Sequence, residues 1–235
     1  MILFGTIVNG ICIILGTIIG RFLYKMPESL KKTTMQTIGL FIVVIGLQMA
    51  LKGEQMLVVL ISLVLGVVLG ELWKLEDQLN NIGKWIESKL SKENEVDIAK
   101  GFVSATLIFV VGAMAIVGSL DSGLRGNHSV LITKGIIDGF TSILLTASLG
   151  IGVIFSFIPV VLYQGSITLL ASQIQQLAPE ELLNLFIANT TATGGIMIMA
   201  IGLNMLELTK IKVANMLPAI IVVVFLTILS MNVSF

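Results

Sequence analysis

Apolar residues run along this chain in long stretches, and short polar segments separate them. Each stretch has about 20 residues, the length that an α-helix needs to cross the hydrocarbon of a bilayer. The fifth and sixth runs meet without a polar loop, and Pro159 there cannot continue a helix from the preceding turn. The pattern predicts seven to eight spans, the fifth and sixth being either two full crossings or a broken hairpin. The runs are 2–24, 35–51, 54–73, 102–120, 133–155, 157–176, 188–207 and 214–233.

Composition agrees with this pattern. Hydrophobic residues make up 56% of the chain, charged residues only 12%, and the mean hydropathy is +1.03. A soluble domain has about 25% charged residues, so this chain lacks the polar side chains that a water-facing surface requires. The predicted class is an all-α integral membrane protein with the lipid bilayer as its partner.

Two parts of the chain read alike. The segments 9–10, 27–30 and 39–49 recur in the same order at 164–165, 179–182 and 195–205, with offsets of 155, 152 and 156 residues. A repeat with an odd number of spans inserts upside down in its second copy, and inverted repeats are typical of transporters. The expected architecture is 3+2+3, in which spans 1–3 and spans 6–8 are inverted-topology repeats.

The distribution of lysine and arginine predicts the orientation. Of the 14 basic residues, 11 follow spans one, three and seven, and only Lys52, Arg125 and Lys134 lie on the other side. The basic side is cytoplasmic, so both termini are predicted outside, and spans two and seven run in opposite directions. The chain is then one transmembrane domain: repeat one at 1–73, a connector at 74–100, linking helices at 101–156 and repeat two at 157–235.

The connector is the one long polar stretch. Leu75, Leu79, Ile82 and Ile86 recur at helical spacing, with charged residues on most other positions. This pattern predicts a cytoplasmic amphipathic helix on the membrane or on the bundle. Its role is either that of a connector that lets span four start on the correct side, or that of a regulatory or partner-binding element.

Four amides in apolar runs are the candidate binding residues. Asn9 and Gln164 occupy equivalent repeat positions, each followed by glycine, and Gln48 and Asn204 form a second matched pair. Amides offer both donors and acceptors, so these four side chains are predicted to bind a permeant. The alternative is that they hydrogen-bond between helices and only stabilise packing.

Asp138 is the acid that lies well inside a predicted span, with Lys134 one helical turn before it. A charge inside a membrane marks a functional site by default, so the pair is predicted to hold a coupling ion or to steer a cation. An ion pair that caps the span is the alternative. Ser142 and Thr146 extend the same helix face as a polar stripe.

Small residues at four-residue spacing predict close helix contacts. Whether these contacts lie within one subunit or form a homo-oligomer face stays open. The glycines are Gly16 and Gly20, Gly66 and Gly70, and Gly135 and Gly139. Farther along, the cluster 189–195 opens the seventh predicted span and would place polar groups at a helix N-terminus.

Several function classes lack their signatures. No metalloprotease motif, phosphate-binding loop or nucleophile elbow occurs, so the chain is not expected to be an enzyme, and no metal or cofactor is expected. No basic stripe with interleaved aromatic residues indicates nucleic-acid binding.

Several separated motifs resemble a known family in the same order over nearly the whole chain. They are 107–124, 134–142, 162–165, 202–204 and 211–219. Together they resemble the bacterial family called domain of unknown function 554, multi-pass inner-membrane proteins described as uncharacterised or as transport proteins. The resemblance implies a bacterial inner-membrane location and supplies no substrate or functional residue.

The leading hypothesis is transport of a small solute or ion through a site between the two repeats, by alternating access. An oligomeric ion channel with a pore lined by glycines and amides is the first alternative. A membrane scaffold or sensor that transports nothing is the second.

Overall fold

The computed structural model describes residues 1–23, 28–81, 98–177 and 179–232. Nearly all of these residues are helical, and none of them lies in a strand. The α-helices are α1 (Phe4–Leu23), α2 (Glu28–Ala50), α3 (Met56–Leu72), α4 (Leu75–Asn81), α5 (Ile98–Val110), α6 (Ala113–Arg125), α7 (Ser129–Leu149), α8 (Phe157–Leu169), α9 (Ala171–Leu177), α10 (Glu180–Met205) and α11 (Pro218–Asn232), with 3₁₀ helices at Ile151–Ser156 and Val213–Met216.

The predicted spans have clear counterparts among these elements. Six segments are long and apolar enough to cross a membrane, and two bent helix pairs raise the number to eight if each pair is one span. The bent pairs, α3–α4 and α5–α6, correspond to predicted spans three and four. The six are Phe4–Phe22, Lys32–Ala50, Ser129–Leu149, Ile151–Leu169, Glu180–Met205 and Val213–Ser230.

Glycine places the breaks at positions that differ from the predicted ones. The fifth and sixth spans separate at Gly150, whose φ of 86° ends α7, while Pro159 lies in the first turn of α8. Each of the two is long enough for a full crossing. The bends lie instead in the third and fourth spans: α3 and α4 meet at 55°, and α5 and α6 meet at 60° at Gly112, whose φ is 151°.

Helix α10 begins eight residues before the predicted seventh span. Pro179 precedes it, and Glu180 and Glu181 lie in its first turn, where acids complement the helix dipole. The polar cluster at 189–195 therefore lies in the helix interior, and its predicted place at a helix N-terminus is wrong.

Helix α3 shows what surrounds these helices. Its buried positions form one narrow stripe at helical spacing; they are Val59, Ser62, Leu63, Gly66 and Gly70. Most of its other side chains are large, apolar and exposed, Leu57 by 70%. A water-facing helix would carry polar groups there, so these positions are suited to lipid.

Contacts divide the chain into two units that interleave along the sequence. The first consists of Met1–Ile38, Leu79–Val110 and Met114–Gln173, and the second of Gly39–Gln78, Val111–Ala113 and Ile174–Phe235. Each unit contains helices from both predicted repeats. The predicted repeat boundaries are a division by sequence likeness, and these units are a division by contact.

In the first unit, α1 and α7 run parallel in close contact. Gly135 lies against the backbone of Asn9, and Gly139 against the carbonyl of Cys12. Farther along, Gly16 faces the Gly139 carbonyl, and Gly20 faces Ile143 and Thr146. The positions on both helices rise together, which fixes the parallel direction. Glycine permits this approach, because a Cβ at these positions would clash with atoms of the neighbouring helix.

In the second unit, helix pairs run antiparallel. Gly39 faces Gly202 and Gly46 faces Gly195, so α2 and α10 cross in opposite directions. In the same way Gly66 contacts Ala219 and Gly70 contacts Asn215, which packs α3 against α11. The glycines of the predicted packing motifs thus lie at contacts within one chain.

The predicted amphipathic connector is described at its two ends, 74–81 and 98–100, and the second end is already the start of α5. Leu75–Asn81 is helical and bends by 55° from α3. The remainder of the prediction, at 82–97, lies outside the described residues.

We expect Gly46→Ala to lower the free energy of unfolding by roughly 1–3 kcal/mol, because overpacking displaces backbone. A Cβ at Gly46 would lie 2.6 Å from the amide nitrogen of Met199 and 2.7 Å from the carbonyl oxygen of Gly195. The measurement is unfolding in mixed detergent micelles. Gly165→Ala is the matched control, since its nearest contact is Leu3 Cδ2 at 3.8 Å. Equal stability of the two variants would contradict this account of the α2–α10 contact.

Candidate functional site

The matched amides Asn9 and Gln164 meet inside the first unit. Asn9 Nδ2 donates to Gln164 Oε1 at 3.2 Å, and both side chains are fully buried. Helices α1 and α8 run antiparallel here, because Gly10 lies against Val161 while Leu3, earlier on the chain, lies against Gly165, farther along α8. Two residues 155 positions apart at equivalent repeat positions thus form one hydrogen-bonded pair.

This pair leaves half of its hydrogen-bonding groups unused. Asn9 Oδ1 and Gln164 Nε2 are buried and have no partner among the described residues. Exchanging O and N in both amides would still leave one donor and one acceptor free. An unpaired buried polar atom costs about 1–3 kcal/mol. The pair is therefore a place where a ligand could gain two hydrogen bonds without breaking the interamide bond.

The predicted ion pair is formed and lies beside the amides. Lys134 Nζ donates to Asp138 Oδ2 within α7, and the two side chains are only 7% and 8% exposed. Asn9 also interacts with the Asp138 carboxylate. The Lys134 ammonium lies 6.0 Å from the centre of the Phe109 ring, in the last turn of α5. One cation, one anion and two amides form what we call the buried cluster: Asn9, Lys134, Asp138 and Gln164.

Hydroxyls extend this cluster in both directions along the helices. Thr6 lies one turn before Asn9 on α1, and Thr168 one turn after Gln164 on α8. Ser142 and Thr146 follow Asp138 on α7. All four hydroxyls are buried without a partner among the described residues. Ser142 and Thr146 belong to the polar stripe predicted from the sequence. Thr6 and Thr168 were not predicted, although their helical spacing from the two amides was the available signal.

Not every polar residue on these helices behaves this way. Thr17, Ser119 and Thr141 donate to the carbonyl four residues earlier on their own helix, the usual arrangement for a hydroxyl in a helix. Buried hydroxyls without a partner among the described residues also occur at Thr106, Thr190 and Thr191, so those on the helices of the buried cluster are distinguished by their helical spacing from the amides and the ion pair. They provide donors and acceptors that suit a small dipolar solute or an ion.

Buried amides in the second unit have both ends bonded. Asn189 Oδ1 accepts from the Gln55 amide nitrogen at 3.1 Å, and its Nδ2 donates to Gln55 Oε1 and Thr227 Oγ1, each at 3.1 Å. Ser230 also donates to Gln55 Oε1 at 3.0 Å. These contacts complete the start of α3 and the interior of α10, so they stabilise packing.

Gln48 and Asn204, the second matched pair, do not meet. The antiparallel contacts of α2 and α10 place them toward opposite ends of that helix pair, and Gln48 is exposed. Asn204 closes the loop after α10: its Oδ1 accepts from the Ile211 amide at 2.9 Å and from Thr209 Oγ1 at 2.7 Å, while its Nδ2 donates to the Ile211 carbonyl at 2.7 Å. This geometry assigns Asn204 a loop-closing contact.

A polar cluster that was not predicted from the sequence joins the end of α3 and the start of α4 to the segment 212–215, which precedes α11. Lys212 Nζ donates to Glu71 Oε1 at 2.8 Å, and Asn215 Nδ2 donates to Glu71 Oε2. Glu76 completes it, because its amide donates to Asn215 Oδ1 at 2.8 Å and its carboxylate accepts from the Ala214 amide at 3.0 Å. The hydrogen bond to Glu71 raises the pKa of Lys212 above its ordinary value.

Comparison with known proteins gives a family and no activity. The family model described as "Protein of unknown function (DUF554)" matches residues 4–228. The chain is 32% identical over 225 residues to the uncharacterized membrane protein YdfK of Bacillus subtilis (strain 168), covering 94% of this chain and 93% of that protein. It is 27% identical over 225 residues to the uncharacterized protein YqgA of Escherichia coli (strain K12), covering 92% and 93%. No solved structure matches the chain.

We expect Asn9→Ala and Gln164→Ala each to lower the free energy of unfolding by about 1–3 kcal/mol, because each leaves the other amide unpaired. The double variant should lose less than the sum, with a coupling of at least about 0.5 kcal/mol. Unfolding in mixed detergent micelles measures all three. The exposed amide Gln48 supplies the control, since Gln48→Ala should change stability by less than about 0.5 kcal/mol. Strictly additive losses would show that the two amides do not interact.

Proposed function

The chain belongs to the DUF554 family, whose description assigns no activity, and we propose that it transports a small solute or ion across a bacterial cytoplasmic membrane. One relative is named a membrane protein, and the chain's own apolar helices agree with that location. The buried cluster would bind the permeant, and access would alternate between the two sides. The basic residues support a topology in which both termini face outward.

One observation carries this proposal. Buried polar atoms without a partner lie on the same helices as a buried charged pair, Asn9 interacts with the carboxylate of that pair, and the outer faces of these helices are apolar. A polar group in hydrocarbon has no water to compensate it, and the second unit shows that this chain can bond its buried amides completely. A site that keeps one donor and one acceptor free beside an ion pair is better suited to a passing ligand than to packing alone.

Helix directions support an inverted-repeat arrangement of the transporter type. The equivalent helices α1 and α8 cross antiparallel in the first unit, and α2 and α10 do so in the second. The contacts Gly39–Gly202 and Gly46–Gly195 join equivalent repeat positions reciprocally. Transporters built in this way place the binding site near the bilayer midplane, beside discontinuous helices. The α5–α6 break is such a discontinuity.

Thiol labelling tests the inverted arrangement. In a Cys12→Ala background, Thr33→Cys near the start of α2 should react with an impermeant maleimide only from the cytoplasmic side. Glu181→Cys near the start of α10 should react only from outside, because equivalent helices start on opposite sides in inverted repeats. Labelling of intact cells and of inverted vesicles measures both. Reaction of the two positions from one side would rule out the inversion.

Flux into proteoliposomes tests transport itself. We expect Asp138→Asn to lower the rate by about tenfold or more, because it leaves the buried Lys134 ammonium without its carboxylate. The probes are labelled sodium, rubidium, neutral amino acids and sugars, and saturable uptake that follows a gradient would support a carrier.

Asp121→Asn serves as the matched control for this experiment. Asp121 pairs with Arg125 at 3.4 Å with the same four-residue spacing, but the arginine is 80% exposed. An exposed pair contributes little, so this variant should retain full flux. Wild-type flux in Asp138→Asn would remove Asp138 from the transport mechanism, and large unitary currents in a planar bilayer would favour a pore.

A further inference from the structure

We propose that the buried cluster binds a small uncharged solute that carries a carboxamide group, and that it excludes ions. This inference rests on the proposed transport function and names the substrate class of that same site. Three observations carry it: the unused atoms of the amide pair, the neutrality of the buried ion pair, and a packing gap at Gly165.

The hydrogen bonds of Asn9 decide which atoms of the amide pair stay free. Its amide N–H groups donate to Gln164 Oε1, at 3.2 Å, and to the Asp138 carboxylate. A carboxylate only accepts hydrogen bonds, so the opposite orientation of this amide would set its carbonyl oxygen against a negative charge. The atoms left without a partner among the described residues are therefore the Asn9 carbonyl oxygen and the Gln164 amide nitrogen.

One free acceptor and one free donor are the complement of a third amide. A carboxamide carries, on one carbon atom, an N–H group that can donate to the Asn9 oxygen and a carbonyl that can accept from the Gln164 nitrogen. Both bonds would satisfy buried atoms that are otherwise unpaired, which is unfavourable. Neither bond requires the interamide hydrogen bond to break, so the contact between α1 and α8 is kept.

The buried ion pair limits the charge that a solute can bring. Lys134 and Asp138 contact each other directly and are only 7% and 8% exposed, so their charges cancel within the first unit. An added ion would remain uncompensated away from water, which is very costly. An uncharged solute meets no such cost. Charge balance therefore favours a carboxamide over a carboxylate or an ammonium compound of the same size.

A packing gap adjoins Gln164 at the contact between α1 and α8. Gly165 is buried, yet a Cβ placed on it would have Leu3 Cδ2, at 3.8 Å, as its nearest neighbour from another segment. At the equivalent repeat position, a Cβ on Gly10 would lie 2.8 Å from Val161 Cγ2, so that position is filled. Protein interiors leave few such spaces. There is thus room for at least a methyl group at the residue that follows Gln164, where part of a solute can lie.

Hydroxyls without a partner among the described residues continue from the amides toward both ends of the helices. Thr6 lies one turn before Asn9 on α1, and Ser142 lies beside Gly16, two turns after Asn9. Hydroxyls both donate and accept hydrogen bonds. They can therefore replace the hydration of a carboxamide on either side of the amide pair.

Three probes of nearly equal size test the chemistry of the ligand: acetamide, acetone and acetate. Acetone has a methyl group in place of the N–H donor of acetamide, and acetate has a charged oxygen there. Binding to the full chain, purified in deuterated detergent, is measured by saturation-transfer NMR on the methyl protons that all three probes carry. We expect acetamide to bind saturably, and acetone and acetate to bind at least about tenfold more weakly.

Substitutions in the site separate specific binding from partition into the micelle. Gln164→Met keeps the length of the side chain and removes its amide, so the affinity for acetamide should fall about tenfold or more. Gly165→Ala places a methyl group in the gap without a close contact, so it should fold as the wild type does and weaken binding about tenfold. Gln48→Ala, at an exposed amide, is the control that should leave the affinity unchanged.

The outcomes distinguish this inference from the proposed function. Absent binding of acetamide, equal binding of the three probes, or binding that Gln164→Met and Gly165→Ala leave unchanged would overturn the carboxamide site, as would tighter binding of glycerol than of acetamide. Saturable flux of sodium or rubidium that acetamide does not inhibit would overturn the solute class, while transport would stand. Specific binding of acetamide without its saturable uptake into proteoliposomes would overturn the transport function instead.

Discussion

In hydrocarbon, a buried polar group that finds no partner within the protein finds none at all. This constraint separates two kinds of buried polar residue in the chain. Asn189 and Asn215 use both ends of their amides to close helix ends and breaks in the second unit. Asn9 and Gln164 use one end each and keep the other free beside an ion pair. The first kind completes the fold, and the second leaves polar atoms free, as the proposed binding site requires.

Glycine residues let α1 and α7 approach closely enough for their polar side chains to contact one another. Gly135 and Gly139 flank Asp138 on α7, and α1 approaches them closely enough for Asn9 and Cys12 to touch their backbone. A larger residue at either position would separate α1 from α7 and remove Asn9 from the carboxylate. These glycines, which the sequence predicted to be close-packing positions, thus also affect the interaction between Asn9 and the Asp138 carboxylate. The distance between the helices decides whether an amide can interact with a charge.

The sequence was most informative where a physical pattern repeats. Apolar run length located the spans, and the repeat offset paired Asn9 with Gln164 before their hydrogen bond was known. It was least informative about breaks. Val111–Gly112 lies between apolar residues on both sides, and nothing local indicates that Gly112 takes a φ of 151°. The start of α10 was missed for the opposite reason. Its polar interior, 189–193, resembles a helix start, yet Asn189 is compensated by Gln55 and Thr227, which are distant in sequence.

The ion pair gives the proposal its strongest physical basis. Lys134 and Asp138 lie one turn apart on the same helix, α7. Their contact therefore does not join two different helices, and it adds little to the specificity of the fold. Burying such a pair gains less than a well-packed apolar pair would. An apolar pair at the same two positions would hold α7 equally well against α1. The retention of both charges beside a half-used amide pair therefore favours the proposed permeant site over the demands of packing alone.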